Sequence, residues 1–281
     1  EVRVLLHDSL VTFLPTIVVD CTGMALASRL AGNKTEQPRR TQAAAVVFGM
    51  SGIEPMTEEV LRFLLIRELR RGVNEGALSE ACERLSVVPG SPSGGEVLLK
   101  LGLPLQGPSD VTDLEIRARA LIESVCGFLV VRVTGFSNAR ISFIASQIGI
   151  RGGPRPIGAA KLSDADVMQC AKPDDGVAIG AWPVEEWGEG RGPTLGFFKE
   201  DDVYVIAAGA LQSERCTNLL FAGRSLSATD TAVASARVIG TCLSTGYAAG
   251  VLAAFSSIGR SRADAIAAIR SRQVEPVLES C

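Results

Sequence analysis

The segment Asn218–Gly250, NLLFAGRSLSATDTAVASARVIGTCLSTGYAAG, constrains this chain more than any other. Asn218 to Ala222 is a short apolar run that stops at a glycine, the pattern of a buried strand. The chain then turns through Gly223, Arg224, Ser225, Leu226 and Ser227. Gly223 lets backbone approach a ligand where any Cβ would intrude. Arg224 brings a permanent charge on a planar fork, suited to a phosphate or a polar ring edge. Ser225, Ser227 and Thr229 are short hydrogen-bonding side chains. From Asp230 the residues are small and helix-compatible up to Val238. Gly240 interrupts them, and the pattern predicts a second helix from near Thr241 to about Ser257.

That helix start is chemically useful. Its first amides lack intrahelical partners and carry the positive end of the helix dipole. Gly246, Ala248, Ala249 and Gly250 leave one helix surface very small, which permits close packing on a sheet or a cofactor. Residues 238–259 carry no charge, and a membrane span needs ~20 apolar residues. Gly246 and Gly250 also form a GxxxG pair, a helix-dimer motif in membranes. Gly, Ser and Thr are too many here, and Leu and Phe too few, so the segment reads as a buried core helix and not as a membrane span.

Composition narrows the function classes. The 281 residues have a hydrophobic fraction of 47%, enough for a sizeable core in one large or two modest domains. Net charge is −3, and no Lys/Arg block or basic stripe with interleaved aromatics occurs, which gives no case for nucleic acid or an anionic membrane. The seven cysteines are widely spaced without a CxxC, and His7 is the one histidine. No metal site is expected, and free thiols fit a reducing cytoplasm. No Ser-His or Cys-His pair can form without pressing His7 into service. No signal peptide is visible. Glu1 is not an initiator residue, and we read the chain as a fragment, a processed product or a sequence lacking its N-terminal part.

Further elements follow from pattern. EVRVLL and IVVDCTG read as strands, with a short connection that holds little turn chemistry besides Pro15. QAAAVVFGMSG is a third strand. Thr57 to Arg71 is an amphipathic helix with Thr57 as N-cap, Glu58 and Glu59 in the first turn, and Gly72 as stop. Residues 89–108 place the strand EVLLKL between loops. Thr112 to Glu115 has the capping-box pattern and opens a helix to about Cys126; Ser163 to Asp166 is a second such start. Glu185, Glu186 and Glu189 cluster near Trp182 and Trp187, where the glycines at 188, 190 and 192 argue for a solvated loop. DVYVIAAGAL returns as a strand, and ADAIAAIRSRQ is a surface helix.

Together, Asn218–Gly250, the Thr22-Gly23 turn after IVVDC, and the run IGIRGGPRPIG at 148–158 resemble FAD-dependent oxidoreductases of the glutathione-reductase-like, two-dinucleotide-binding kind. The resemblance is strongest over 136–250 and thinner over 1–50. It implies an α/β fold: a Rossmann-like FAD/NAD(P)-binding domain, incomplete here, from pieces 1–32 and 203–281, with an inserted α+β substrate domain at 33–202 built on an antiparallel sheet that faces the reactive side of the flavin. It implies FAD as cofactor, with Thr22 and Gly23 toward its adenosine side and Gly223, Arg224, Ser225, Ser227, Thr241, Cys242 and Gly246 toward the rest. The helix start at Thr241–Cys242 would point at the pyrimidine edge of the ring. Arg151 and Arg237 are the candidates on the catalytic face, for orientation and charge, since arginine stays protonated. Arg155 is a further cation that could hold an anionic substrate.

The implied reaction is hydride transfer between a small organic substrate and flavin N5, in the cytoplasm. One element of the pattern is missing: no GxGxxG sequence, which would cradle a pyrophosphate at a helix N-terminus, occurs anywhere in the chain. That gap supports a rival reading, a cofactor-free interaction or assembly module derived from a flavoprotein fold.

Overall fold

The computed structural model describes residues 1–39, 42–105, 111–188 and 192–280. Arg40, the end of the 89–108 loop, Glu189, Gly190 and Cys281 lie outside the described residues. The chain forms two compact units. The inner unit is Thr41–Arg151 with Trp187–Pro193; the terminal unit gathers Glu1–Arg40, Gly152–Glu186 and Thr194–Cys281. The sequence boundaries fell at 32/33 and 202/203. The difference arises because Gly176–Gly180 pairs antiparallel with Tyr204–Ala207, and because isolated bridges tie Gly158 to Ser213 and Leu162 to Ala228. Residues 152–186 therefore belong with the terminal segments.

The inner unit is a four-stranded antiparallel sheet in the order Leu85–Val87, Glu96–Leu103, Ala44–Ser51, Arg140–Ile144. Strand Glu96–Leu103 alternates strictly, with Val97, Leu99, Leu101 and Leu103 buried, while the central strand Ala44–Ser51 is buried on both faces save Val47. The helices Glu58–Asn74 and Val111–Arg132 contribute Leu61, Leu65, Leu69, Leu114, Ile122 and Leu129 to the same core. Thr57 caps the first helix by accepting from the Val60 amide at 3.4 Å. Gly72 does not stop it. The helix continues to Asn74, because Gly72 is buried where a Cβ would lie 2.7 Å from the Phe128 ring, and the turn falls at Gly76 with φ +72°. The second helix begins at Val111, one residue before the expected Thr112 cap. Glu115 instead accepts from the Ile148 amide at 2.7 Å and pairs with Arg119.

The terminal unit is built from short paired strands and helices. Val18–Asp20 and Leu219–Phe221 run parallel, with Phe221 opposite Asp20. Val2–Leu6 and Ser9–Phe13 form a hairpin closed by His7 and Asp8. Sequence reading missed its second strand, because the turn relies on His7 taking φ +53°, which its residue type does not announce. Ser163 and Asp166 complete the expected capping box. Helices Asp230–Ala236 and Ile239–Ser257 pack on Tyr204, Ile206, Leu211 and Leu226. Helix Ile239–Ser257 is long and apolar enough to cross a membrane by length and composition. Here it buries a stripe of Thr241, Thr245, Ala248, Ala249 and Leu252. After a turn at Gly259, φ +72°, the chain forms a separate helix, Arg262–Ile269, and a π-turn at Arg270–Val274.

Two glycine substitutions test this packing in opposite directions. A Cβ at Gly180 would intrude into the Tyr204 ring, so Gly180→Ala lowers stability by about 1–3 kcal/mol. Gly127 is an exposed helical glycine with open space at its Cβ position, so Gly127→Ala raises stability by ~0.5–1 kcal/mol. Thermal and urea unfolding of both variants gives the check.

Candidate functional site

The site begins where the parallel strands end. In α/β structures the C-terminal ends of parallel strands open the crevice in which ligands bind. Both strands are apolar up to their last residue, and Asp20 then places a carboxylate that is 1% exposed. A buried charge needs partners. Asp20 Oδ1 accepts from the Thr22 amide at 3.0 Å and the Thr22 hydroxyl at 2.7 Å; Oδ2 accepts from the Ser28 amide and hydroxyl, both at 3.0 Å. Ser225 Oγ donates toward Oδ1 at 3.4 Å and accepts from the Gly23 amide at 2.9 Å. The loops after the two strands are thereby stitched together. Burial alone would raise the Asp20 carboxyl; the hydrogen bonds from Thr22 and Ser28 outweigh it and hold it below the usual aspartate value.

Two glycines make this junction possible. Gly23 has φ +73°, and a Cβ there would lie 2.7 Å from Arg224 Nη2, so the guanidinium packs directly on backbone. Gly223 has φ +60° and donates its amide to Thr245 Oγ1 at 3.1 Å, which joins the turn to helix Ile239–Ser257. Cys242 Sγ stands 3.6 Å from where a Gly223 Cβ would be. Burial pushes the Cys242 thiol up, Arg224 opposes this and Cys21 adds to it, so the net shift is upward. The thiol is protonated at neutral pH and is a poor nucleophile.

The start of helix Ile239–Ser257 faces a cleft of about 750 Å³, lined by Trp182, Glu185, Arg237, Gly240 and Thr241 among others. Val238 is its N-cap and supplies no side-chain hydrogen bond. The first-turn amides therefore lack a side-chain cap. Gly240 adds open space, because a Cβ there would meet nothing within 4 Å. Arg237 Nη2 donates to the Glu185 carbonyl at 3.0 Å, and Trp182 Nε1 to Glu185 Oε2 at 2.9 Å. Behind the first turn, the buried Tyr204 hydroxyl donates to Ser235 at 2.8 Å, and Ser235 to the Trp182 carbonyl. Burial pushes the Tyr204 phenol up to about 12, against hydrogen bonds with Ser235 and Thr241.

The structure brings Thr22, Gly23, Gly223, Arg224, Ser225 and Cys242 together at the strand ends, although Thr22 and Ser225 spend their hydroxyls on the Asp20 web. Thr241 is 3% exposed and turned inward. Ser227 is buried, exchanging backbone hydrogen bonds with Leu162 and Ala210. Gly246 lies two turns into its helix. The helix starts at Ile239, two residues before the expected Thr241. Arg237 lines the cleft. Arg151 belongs to the inner unit, where it donates to the Ala43 carbonyl and its guanidinium lies 4.5 Å from the Trp187 ring centroid. Arg155 is buried in an ion pair with Asp230 and donates to the Ala228 carbonyl at 2.8 Å, so it is a structural charge. Sequence reading passed over Asp20. The available signal was a carboxylate closing the apolar run IVVD, where a charge must be paired.

Asp20→Asn removes the charge from this web and costs about 1.5–3 kcal/mol at pH 7, read by urea unfolding. Because the folded carboxyl titrates below its unfolded value of ~3.9, this contribution is complete above that value and is lost as pH falls through the folded one. The gap in stability between the native protein and Asp20→Asn is therefore constant from pH 5 to 7 by this group and closes below about pH 4.

The profile of the FAD dependent oxidoreductase family matches residues 2–275. No curated protein matches the chain, and no solved structure does. The lining is compatible with a flavin edge: a helix start without a side-chain cap, the Arg237 guanidinium and open space at Gly240 stand together, with the Glu185 carboxylate in the same cleft. The chain belongs to the family of FAD-dependent oxidoreductases, and its cofactor is FAD.

Proposed function

We propose that the protein catalyses hydride transfer between a small organic substrate and N5 of FAD, and that the start of helix Ile239–Ser257 with Arg237 sets the electrostatics of the flavin. The observation that carries this reading is the helix start without a side-chain cap, beside the Arg237 guanidinium, in a cleft of about 750 Å³. FAD, when bound, supplies the redox chemistry; the protein supplies position and field. Amides at a helix N-terminus and a fixed cation favour whichever ligand state carries more negative charge at that edge. The first turn is tied to the core through Thr241, which is hydrogen-bonded to the buried Tyr204 hydroxyl. Arg237 orients and stabilises charge and moves no proton. His7, exposed in the hairpin turn, has no part in this arrangement.

Thr22, Gly23, Gly223, Arg224 and Ser225 would line the cofactor through backbone and the Arg224 face, with Asp20 holding the loops in register. The test is the two-electron midpoint potential of the FAD-loaded protein and of Arg237→Met. Loss of the cation lowers the potential by about 30 mV, equivalent to ~1.4 kcal/mol less stabilisation of the reduced state. An unchanged potential would remove Arg237 and the helix start from the mechanism.

A further inference from the structure

Helix Glu58–Asn74 turns Leu61, Leu65 and Leu69 into the core of the inner unit. The opposite face of such a helix is ordinarily polar. Here it carries three large apolar side chains at three-residue spacing: Val60, Phe63 and Ile66 are 54%, 66% and 55% exposed. Single exposed apolar residues are normal, whereas a contiguous row on one helix calls for a partner. Charge brackets this row in a definite order. Glu59 lies in the first turn of the helix and Arg70 about one turn before its end, both exposed. At about 100° per residue, Glu59, Phe63, Ile66 and Arg70 fall within a sector of roughly 60°. They are also symmetric about one point, since Glu59 to Phe63 and Ile66 to Arg70 are steps of four residues each.

A second copy of the helix, laid antiparallel across the first, completes every pair at once. Phe63 meets the partner's Ile66, Ile66 meets the partner's Phe63, and at each end a Glu59 faces an Arg70 of the other chain. A two-fold axis midway between Phe63 and Ile66 makes the two ends identical, as an isologous contact requires. A parallel pairing would set Glu59 against Glu59 and Arg70 against Arg70, so the charges select the antiparallel one. Arg62 and Arg67 flank the contact, and each is already paired within its own chain, Arg62 with Glu58 at 2.6 Å and Arg67 with Glu68 at 2.7 Å. The Arg67 guanidinium also lies 5.9 Å from the Phe63 ring centroid, and Phe63 still keeps most of its surface in water. We propose that this face is a self-association surface: two copies of the chain pair through helix Glu58–Asn74, antiparallel, with an apolar centre and a Glu59–Arg70 bridge at each end. Contact through one pair of helices falls at the low end of interface sizes, below ~1,200 Å², so the dimer is reversible. The pairing uses the inner unit alone and does not depend on what the terminal unit binds.

Sedimentation equilibrium of the full chain over a series of concentrations tests this. The weight-average mass is expected to climb from that of one chain toward that of two, and the dimer to weaken with added sodium chloride, because the end bridges are exposed to screening. Glu59→Arg sets like charges together at both ends, as does Arg70→Glu, and each raises the dimer Kd about tenfold or more. The double variant rejoins opposite charges with their places exchanged and returns to within about threefold of the native Kd. An equimolar mixture of the two single variants forms a heterodimer tighter than either variant alone, since each end again joins opposite charges. Phe63→Ser weakens the dimer about tenfold and leaves the urea midpoint of the monomer in place, because the side chain is exposed. A chain that stays monomeric at every concentration would overturn the proposal and leave the face to a different protein. A dimer indifferent to both single reversals would place the contact elsewhere and overturn it too. So would a double variant and a mixture that both fold normally and fail to recover the dimer.

Discussion

A carboxylate buried at the end of a strand has to be either satisfied or neutralised, and Asp20 is satisfied. Five hydrogen bonds to one side chain tie together the Thr22 turn, the helix Leu26–Leu30 through Ser28, and the turn after the second parallel strand through Ser225. Their shared anchor makes the strand ends a defined surface, and the helix carrying Cys242 and Thr245 is referenced to that surface through Gly223. Removing the charge would therefore loosen several short elements together.

The two units divide the physical work. The inner unit has an alternating sheet, two long helices and a core in the ordinary sense. The terminal unit has pairs of short strands and helices rich in Ala, Gly, Ser and Thr, so close backbone approach and hydrogen bonding carry more of its order. That composition suits the binding of a large planar cofactor. In the proposed arrangement, small side chains would let backbone amides reach the ligand, and the dipole of helix Ile239–Ser257 would supply charge without a titratable group.

Much of this was legible from local pattern. The apolar run 218–222, the strand EVLLKL, the Thr57 cap and the Ser163 capping box all encode structure within a few residues; each formed, the EVLLKL strand running two residues further, to Leu103. What escaped depends on partners far away in sequence. Arg155 looked available for an anion because Asp230, its partner, lies 75 residues on. Ser227 looked like a ligand contact because its polarity was visible and its burial was not. Gly72 looked like a stop because nothing local reveals that Phe128 packs on it. The inner and terminal units were separable only through strand pairing, which placed residues 176–180 against 204–207.

The account stands on FAD being held by this chain. The most direct measurement is the visible absorption spectrum of the purified protein with FAD added and excess removed, before and after denaturation. The account predicts a flavin band that stays with the folded protein and is released as free FAD on unfolding. A protein that remains colourless after incubation with excess FAD would contradict it.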